Sequence, residues 1–356
     1  MNVEFHEKLA TIAAHGTLSL SIALGIKLGL FDALADVSSE ENPATPDEVA
    51  LQVALKPRYV REWLCAMACA EIIEVDHTGG KFWIPIDKLS MISGPNKDVF
   101  LMHMAMIPIF GSVFEDIVKV CKNDGPYGMD YSSYSSFYEA MNAISHSQHQ
   151  KVLVDKYIPM IGMKEKLEEG ILVLDVGCGA GFHILELAPH FPKSHFIGVD
   201  ITESAIQQAE EQKKKKNFSN VEFVCLDAKE LKPEWIEKFD LVLIFDACHD
   251  QCRPDLCIKE IHRVLKPDGL FAMIEIDGTS NCYTDRQEKG IAAAMFYSAS
   301  LFHCLPVGNN TPDALGLGTM WGIERGKKLL QDAGFTNIKV EKTPFFEINV
   351  AYLARK

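Results

Sequence analysis

The chain has 356 residues, 47% of them hydrophobic and 24% charged, with a formal net charge of −14. The apolar fraction is that of a folded globular protein and the length suits two or three domains, so a disordered or fibrous chain is excluded. The acidic balance argues against nucleic acid as a partner, because phosphates are bound by basic faces. No run of roughly 18 apolar residues free of charge stands out, so no membrane span is expected. The N-terminus, M-N-V-E-F-H-E-K, lacks a basic region and an A-x-A site; with ten cysteines read as reduced thiols, this predicts a cytoplasmic protein.

Residues 1–95 read as a small helical domain with a β wing. Leu18 to Leu34 has helical apolar spacing, with Gly25 and Gly29 permitting close helix contacts. Thr45-Pro46-Asp47-Glu48 is a helix start, with Thr45 as N-cap. A second helix follows Pro57, and Ile72 to Pro85 reads as two strands around Gly79-Gly80. Helix, turn, helix and wing make a winged-helix pattern. Arg58 and Arg61 would be its DNA contacts, but residues 1–98 hold eight Lys and Arg against fourteen Asp and Glu. A dimerisation module is therefore expected rather than a DNA reader. Residues 96–166 read as a helical linker, with Asp124 to Ser136 a Gly-, Tyr- and Ser-rich loop bent over the site. His146 and His149 fall on a helix there and are read as solvent-facing.

Residues 167–356 carry the chemistry. An apolar run, Ile171 to Val176, leads into G-C-G-A-G, with glycines at Gly177, Gly179 and Gly181 and an acid at Asp175. A buried strand, a glycine turn and a helix start let a backbone approach a nucleotide closely. A dinucleotide fold wants G-x-G-x-x-G, and Phe182 occupies the position that should be small. The runs His195 to Asp200 and Val221 to Ala228 are further strands, each with an acid near its end, Asp200 and Asp227. Asp200 is placed for ribose hydroxyls, Ile201 for an adenine face, and Asp227 with the Ala228 amide for the adenine edge. Phe239 to Ala247 and Lys266 to Asp277 are a fourth and fifth strand. Residues 278–324 interrupt the core as a lid rich in Met, Phe, Tyr and Trp. After a helix ending at Gly334, Thr336 to Thr343 and Phe346 to Ala354 lie too close for a crossover and are expected to form an antiparallel hairpin. Cys248, His249, Cys252 and Cys257 lack a paired zinc spacing, so no metal is expected. Cys65, Cys69, Cys178 and Cys225 are read as core fillers.

This array resembles the S-adenosylmethionine-dependent methyltransferases with a Rossmann-like fold. The resemblance covers roughly residues 167–277 and the C-terminal segment. It implies an α/β fold, a parallel sheet closed by a C-terminal antiparallel hairpin, behind an N-terminal winged-helix domain. It also implies S-adenosylmethionine as cofactor, with S-adenosylhomocysteine as product. Asp175, Gly177, Gly179, Gly181, Asp200, Ile201, Asp227, Ala228 and Phe245 are then its contacts. The segment F-D-A-C-H-D-Q, Phe245 to Gln251, is similar to the H-D-W motif of small-molecule O-methyltransferases. That similarity makes His249 the general base and Glu275 the acid that orients it. Gln251 stands in place of the tryptophan, Phe245 where lysine is common, and Glu324 is displaced from a second orienting acid. The whole arrangement, with G-L-G-T-M-W-G at Gly316 to Gly322, is similar to a group of methyltransferases of undefined acceptor. The implied protein is a homodimer that methylates a small molecule on oxygen or nitrogen. The alternatives are a cofactor-sensing winged-helix regulator and a non-catalytic cofactor binder.

Overall fold

A computed structural model describes residues 3–95, 97–134 and 136–356. Two compact units are present, Met1–Gly111 with Glu139–Gln148, and Ser112–Tyr138 with His149–Lys356. The segment 96–166, read as a linker, is divided between them.

The first unit is helical. Pro46–Gln52 opens with a full capping box: Thr45 Oγ1 accepts from the Glu48 amide, and the Glu48 carboxylate accepts from the Thr45 amide at 2.7 Å. Pro57–Cys69 buries Val60, Trp63, Leu64 and Met67 on one face. Two short antiparallel strands, β1 (Glu74–Val75) and β2 (Phe82–Trp83), form the wing. The apolar stretch from Leu18 is not one helix: Gly29, at φ +68°, separates Val3–Lys27 from Leu30–Val37. Gly25 does permit a close approach, since a Cβ there would stand 2.4 Å from the Trp63 ring. Val3–Lys27 corrects another expectation. It is long and apolar enough, by length and composition, to cross a membrane. Its charges gather at the two ends, so the stretch between Lys8 and Lys27 carries no Asp, Glu, Lys or Arg.

The second unit is built on seven strands: β3 (Leu172–Val176), β4 (His195–Asp200), β5 (Val221–Cys225), β6 (Phe239–Phe245), β7 (Leu265–Ile276), β8 (Asn337–Lys342) and β9 (Asn349–Arg355). Their order is β5-β4-β3-β6-β7-β9-β8. β3 to β7 are parallel, and β9 runs antiparallel to both β7 and β8, closing the sheet as the C-terminal hairpin expectation required. The apolar β3 and β6 are buried on both faces, as central parallel strands are. The strand order reverses between β3 and β6, which makes their C-terminal ends the crevice where such sheets bind ligands.

Candidate active site

The turn after β3 is held by backbone bonds, by the Asp200 carboxylate and by glycine. The amides of Gly177 and Cys178 both donate to the Val199 carbonyl, at 2.8 and 3.0 Å. Gly177, Gly179 and Gly181 have φ of +69°, +53° and +80°. A Cβ on Gly177 would lie 2.7 Å from Ala247, and one on Gly181 would lie 2.4 Å from the Phe223 ring. These two glycines therefore serve packing. Gly179 faces only the Tyr138 ring, at 3.6 Å from a built Cβ.

The acids of the next strands turn toward this bend to different degrees. Asp200 accepts from the Gly179 amide on Oδ2 and from the Thr202 amide on Oδ1, both at 2.9 Å. Burial raises its pKa, and the two amide bonds work against that rise. Ile201 beside it is 59% exposed. Asp227 accepts from the Lys229 amide at 3.0 Å and pairs with its Nζ at 2.9 Å, while Ala228 is half-buried. Asp175 is not at the open face. It is buried, its pKa is raised by that burial and then by the Asp200 charge, and its Oδ2 has no hydrogen-bond partner among the described residues. Phe245 is also buried and stacks on the His183 ring, with centroids 3.7 Å apart.

Past the end of β6 the chain turns through Asp246, at φ +48°, a strained setting for a residue with a Cβ. Asn349 Nδ2 donates to Asp246 Oδ1 at 2.7 Å. His249 follows, buried, with Nδ1 2.5 Å from Glu275 Oε2. Glu275 is buried too, and its Oε1 accepts from the amides of Cys248 and His249 at 2.9 and 3.3 Å. Burial disfavours charge on His249, but Glu275 and Asp250 outweigh it and raise the pKa well above that of a free imidazole. The sequence-derived pair is thus brought together. Glu324 is not part of it: its side chain is exposed and paired with Lys327.

Three contributors were not singled out from the sequence. Trp321 Nε1 donates to Glu275 Oε2 at 3.3 Å, so a lid tryptophan supports the pair although Gln251 replaces the one expected beside His249. Gln251 donates to the Ala247 carbonyl instead. Tyr131 donates to Asp250 Oδ2 at 3.1 Å, and Tyr138 to Thr202 Oγ1 at 2.7 Å. The loop read as bending over the site therefore reaches Asp250, and Tyr138, just past it on the helix Phe137–His149, reaches Thr202; Ser135 in that loop lies outside the described residues. Part of the lid is core: Phe296 and Met320 pack with Ile276 and Ala293. His149 is buried, not solvent-facing, and bonds His183 at 2.8 Å. Cys69 and Cys225 are exposed, not core fillers, whereas Cys178 is buried.

Residues 167–304 match the family model described as a methyltransferase domain, and residues 16–93 match the Rv2258c-like winged HTH domain. Malonyl-[acyl-carrier protein] O-methyltransferase of Bacillus anthracis is 31% identical over 139 residues, 38% of this chain and 46% of that protein. Fatty-acid O-methyltransferase of Mycolicibacterium smegmatis is 36% identical over 103 residues, 29% of this chain and 36% of that one. The chain spans about half or less of these curated relatives. Among solved structures, human N-acetylserotonin methyltransferase in complex with SAM superposes with a TM-score of 0.68 at 18% identity, covering 99% of this chain and 97% of that one. An O-methyltransferase family protein from Burkholderia thailandensis gives 0.69 at 14% identity, covering 100% and 98%. The fold is that of these methyltransferases over the whole chain, and the chain joins a winged HTH domain to a methyltransferase domain.

Proposed function

We propose that this chain is an S-adenosylmethionine-dependent methyltransferase that modifies an oxygen or nitrogen of a small molecule. One observation supports the reading most: a glycine bend, Asp200 and the buried His249–Glu275 pair gather at the C-terminal ends of adjacent strands in one sheet. The residues suit the cofactor. Gly179 has the most room of the three glycines, with the Tyr138 ring 3.6 Å from a built Cβ, so a ligand can approach its backbone. Asp200, which accepts the Gly179 and Thr202 amides and bonds the Thr202 side chain, offers its remaining lone pairs to the ribose hydroxyls. In this reading Asp227 and the Ala228 amide meet the adenine edge and exposed Ile201 its face. Gly177 and Gly181 shape the bend, and Asp175 and Phe245 back the methionine end. When bound, S-adenosylmethionine supplies an electrophilic methyl group and becomes S-adenosylhomocysteine.

His249 is the proposed general base. Glu275 holds Nδ1, so Nε2 is the atom that takes the acceptor's proton once the imidazolium favoured by Glu275 and Asp250 has given up its own. The lid's apolar and aromatic composition favours an acceptor that is at least partly apolar. We further assign residues 1–95 to pairing two copies, 96–166 to a helical link and 167–356, with lid 278–324, to catalysis, in a cytoplasmic enzyme.

The test combines calorimetric titration with S-adenosylhomocysteine and transfer from methyl-labelled cofactor to a panel of small aromatic alcohols and amines. The wild-type chain should bind the product and label an acceptor. Asp200→Asn should weaken product binding about 10- to 100-fold, the cost of a charged hydrogen bond. His249→Ala should keep product affinity and lose about 100- to 10,000-fold in transfer. A chain that does not bind the product overturns the reading. Binding without transfer to any acceptor leaves a silent cofactor binder, and full turnover in His249→Ala removes the base assignment.

A further inference from the structure

Methyl transfer leaves part of the surroundings of His249 unused. His249 Nε2 lies 3.3 Å from Asp250 Oδ1. One ring nitrogen of His249, one carboxylate oxygen of Asp250 and Cys304 Sγ all lie within 4.8 Å of one another. Asp250 is only 9% exposed, and its Oδ1 has no hydrogen-bond partner among the described residues. A buried carboxylate oxygen is costly unless a positive charge stands beside it. The two carboxylates flanking His249, Glu275 and Asp250, call for positive charge between them.

We infer that His249 Nε2, Asp250 Oδ1 and Cys304 Sγ form a binding site for a zinc-class divalent cation. The inference concerns what these three atoms hold and stands apart from the transfer reading. The spacing suits it: nitrogen and oxygen ligands about 2.1 Å from a tetrahedral zinc lie about 3.4 Å apart. A bare ion among its ligands needs no water-sized cavity. The donor set of imidazole, carboxylate and thiol selects zinc or cobalt over magnesium or calcium. Three protein ligands leave a fourth position open, as in zinc sites that hold a water or a substrate.

The outer partners of a metal site are also in place. Glu275 holds His249 Nδ1, which fixes Nε2 as the ligand nitrogen, and Trp321 in turn holds Glu275. Tyr131 donates to Asp250 Oδ2, turning Oδ1 to the cluster. The group differs from the one weighed in the sequence. Cys248 and Cys257 are buried in the sheet's hydrophobic core and Cys252 Sγ contacts the Val307 carbonyl. The thiol comes from the lid, over fifty residues beyond His249, where no spacing rule would find it. Burial pushes the Cys304 thiol up to about 11, so the metal must displace its proton. An occupied site takes the Nε2 lone pair that proton acceptance needs, so cation and acceptor proton compete for one nitrogen.

The test uses the full chain, stripped with a chelator, then loaded with Zn2+ or Co2+ and desalted. Elemental analysis should give one bound metal per chain, and the cobalt form should show a thiolate-to-metal charge-transfer band. Cys304→Ser should abolish the band, and Glu275→Gln, which changes the partner of His249 Nδ1 and leaves the three ligands in place, should weaken zinc about 10- to 100-fold. Product binding by calorimetry certifies that each variant is folded. Should Cys304→Ser fail that check, Asp250→Asn carries the same comparison, with retained zinc lost. A wild-type chain that retains no metal, or a cobalt spectrum unchanged in the folded variant, overturns the site. A chain that transfers methyl but retains no metal keeps the base reading and sinks this one.

Discussion

Two buried imidazoles contribute to the chain's response to acid. His149 Nδ1 and His183 Nε2 share a hydrogen bond of 2.8 Å, so one ring donates and the other accepts, and both are neutral. Burial pushes His149 from 6.5 down to about 3. In the unfolded chain it protonates below about 6.5, while in the folded chain it does not until about 3. Between those values the unfolded state binds the extra proton, so stability falls as pH is lowered, by about 1.4 kcal/mol per unit. Asp175, whose pKa is raised in the fold, works in the opposite sense. The test is therefore differential. Urea unfolding of His149→Phe should lose stability less steeply than wild type between pH 6 and pH 4, by about one proton's slope; parallel slopes would show that His149 is not buried neutral. A second residue-scale expectation concerns Gly181. At φ +80° with Phe223 2.4 Å from a built Cβ, Gly181→Ala meets both strain and overlap. It should destabilise the chain by about 2–4 kcal/mol in urea unfolding, whereas Gly179→Ala, with 3.6 Å of room, should cost less stability and more product affinity.

Elements were legible wherever their signal was local. His195 to Asp200 reads as a strand because it is a short apolar run ending in an acid, and β4 has those bounds. Thr45 and Glu48 announce their helix because a capping box needs only four residues. That helix supplies the element-scale prediction: Thr45→Ala leaves the Glu48 amide without its acceptor and should lower stability by about 1 kcal/mol. Glu48→Gln, which keeps a side-chain oxygen for the Thr45 amide, should cost less; equal losses in thermal unfolding would argue against the box. What escaped the sequence depends on long-range approach. Trp321 meets Glu275, Tyr131 meets Asp250 and Cys304 joins His249 only after the sheet has formed. Each looks like ordinary lid or loop composition until then. The break inside Leu18 to Leu34 escaped the sequence for a related reason. Helical spacing persists across Gly29, and only its left-handed φ marks the break.

At the scale of the whole molecule, charge and exposed apolar surface make separate demands. The winged HTH match at residues 16–93 invites a DNA role, but acids outnumber bases in the chain 49 to 35. A protein of that charge should not retain random-sequence duplex DNA in a gel shift even at low salt, where phosphate contacts are strongest. Retention would revive the regulator reading. The exposed apolar surface is concentrated on Val3–Lys27, where Leu9, Ile12, Leu20 and Leu24 are each about half exposed. Apolar residues occur around this helix rather than along one stripe, and only its C-terminal part is buried, at Ile22, Ala23 and Gly25. A helix of that kind requires a cover. If a second copy provides it, as the proposed dimer has it, the chain should sediment as a dimer at micromolar concentration. Leu9→Glu with Ile12→Glu should then give a monomer that still binds S-adenosylhomocysteine, because the cofactor residues lie in the other compact unit. A wild-type chain that sediments as a monomer, or that floats with phosphatidylcholine vesicles, would assign the helix to another cover.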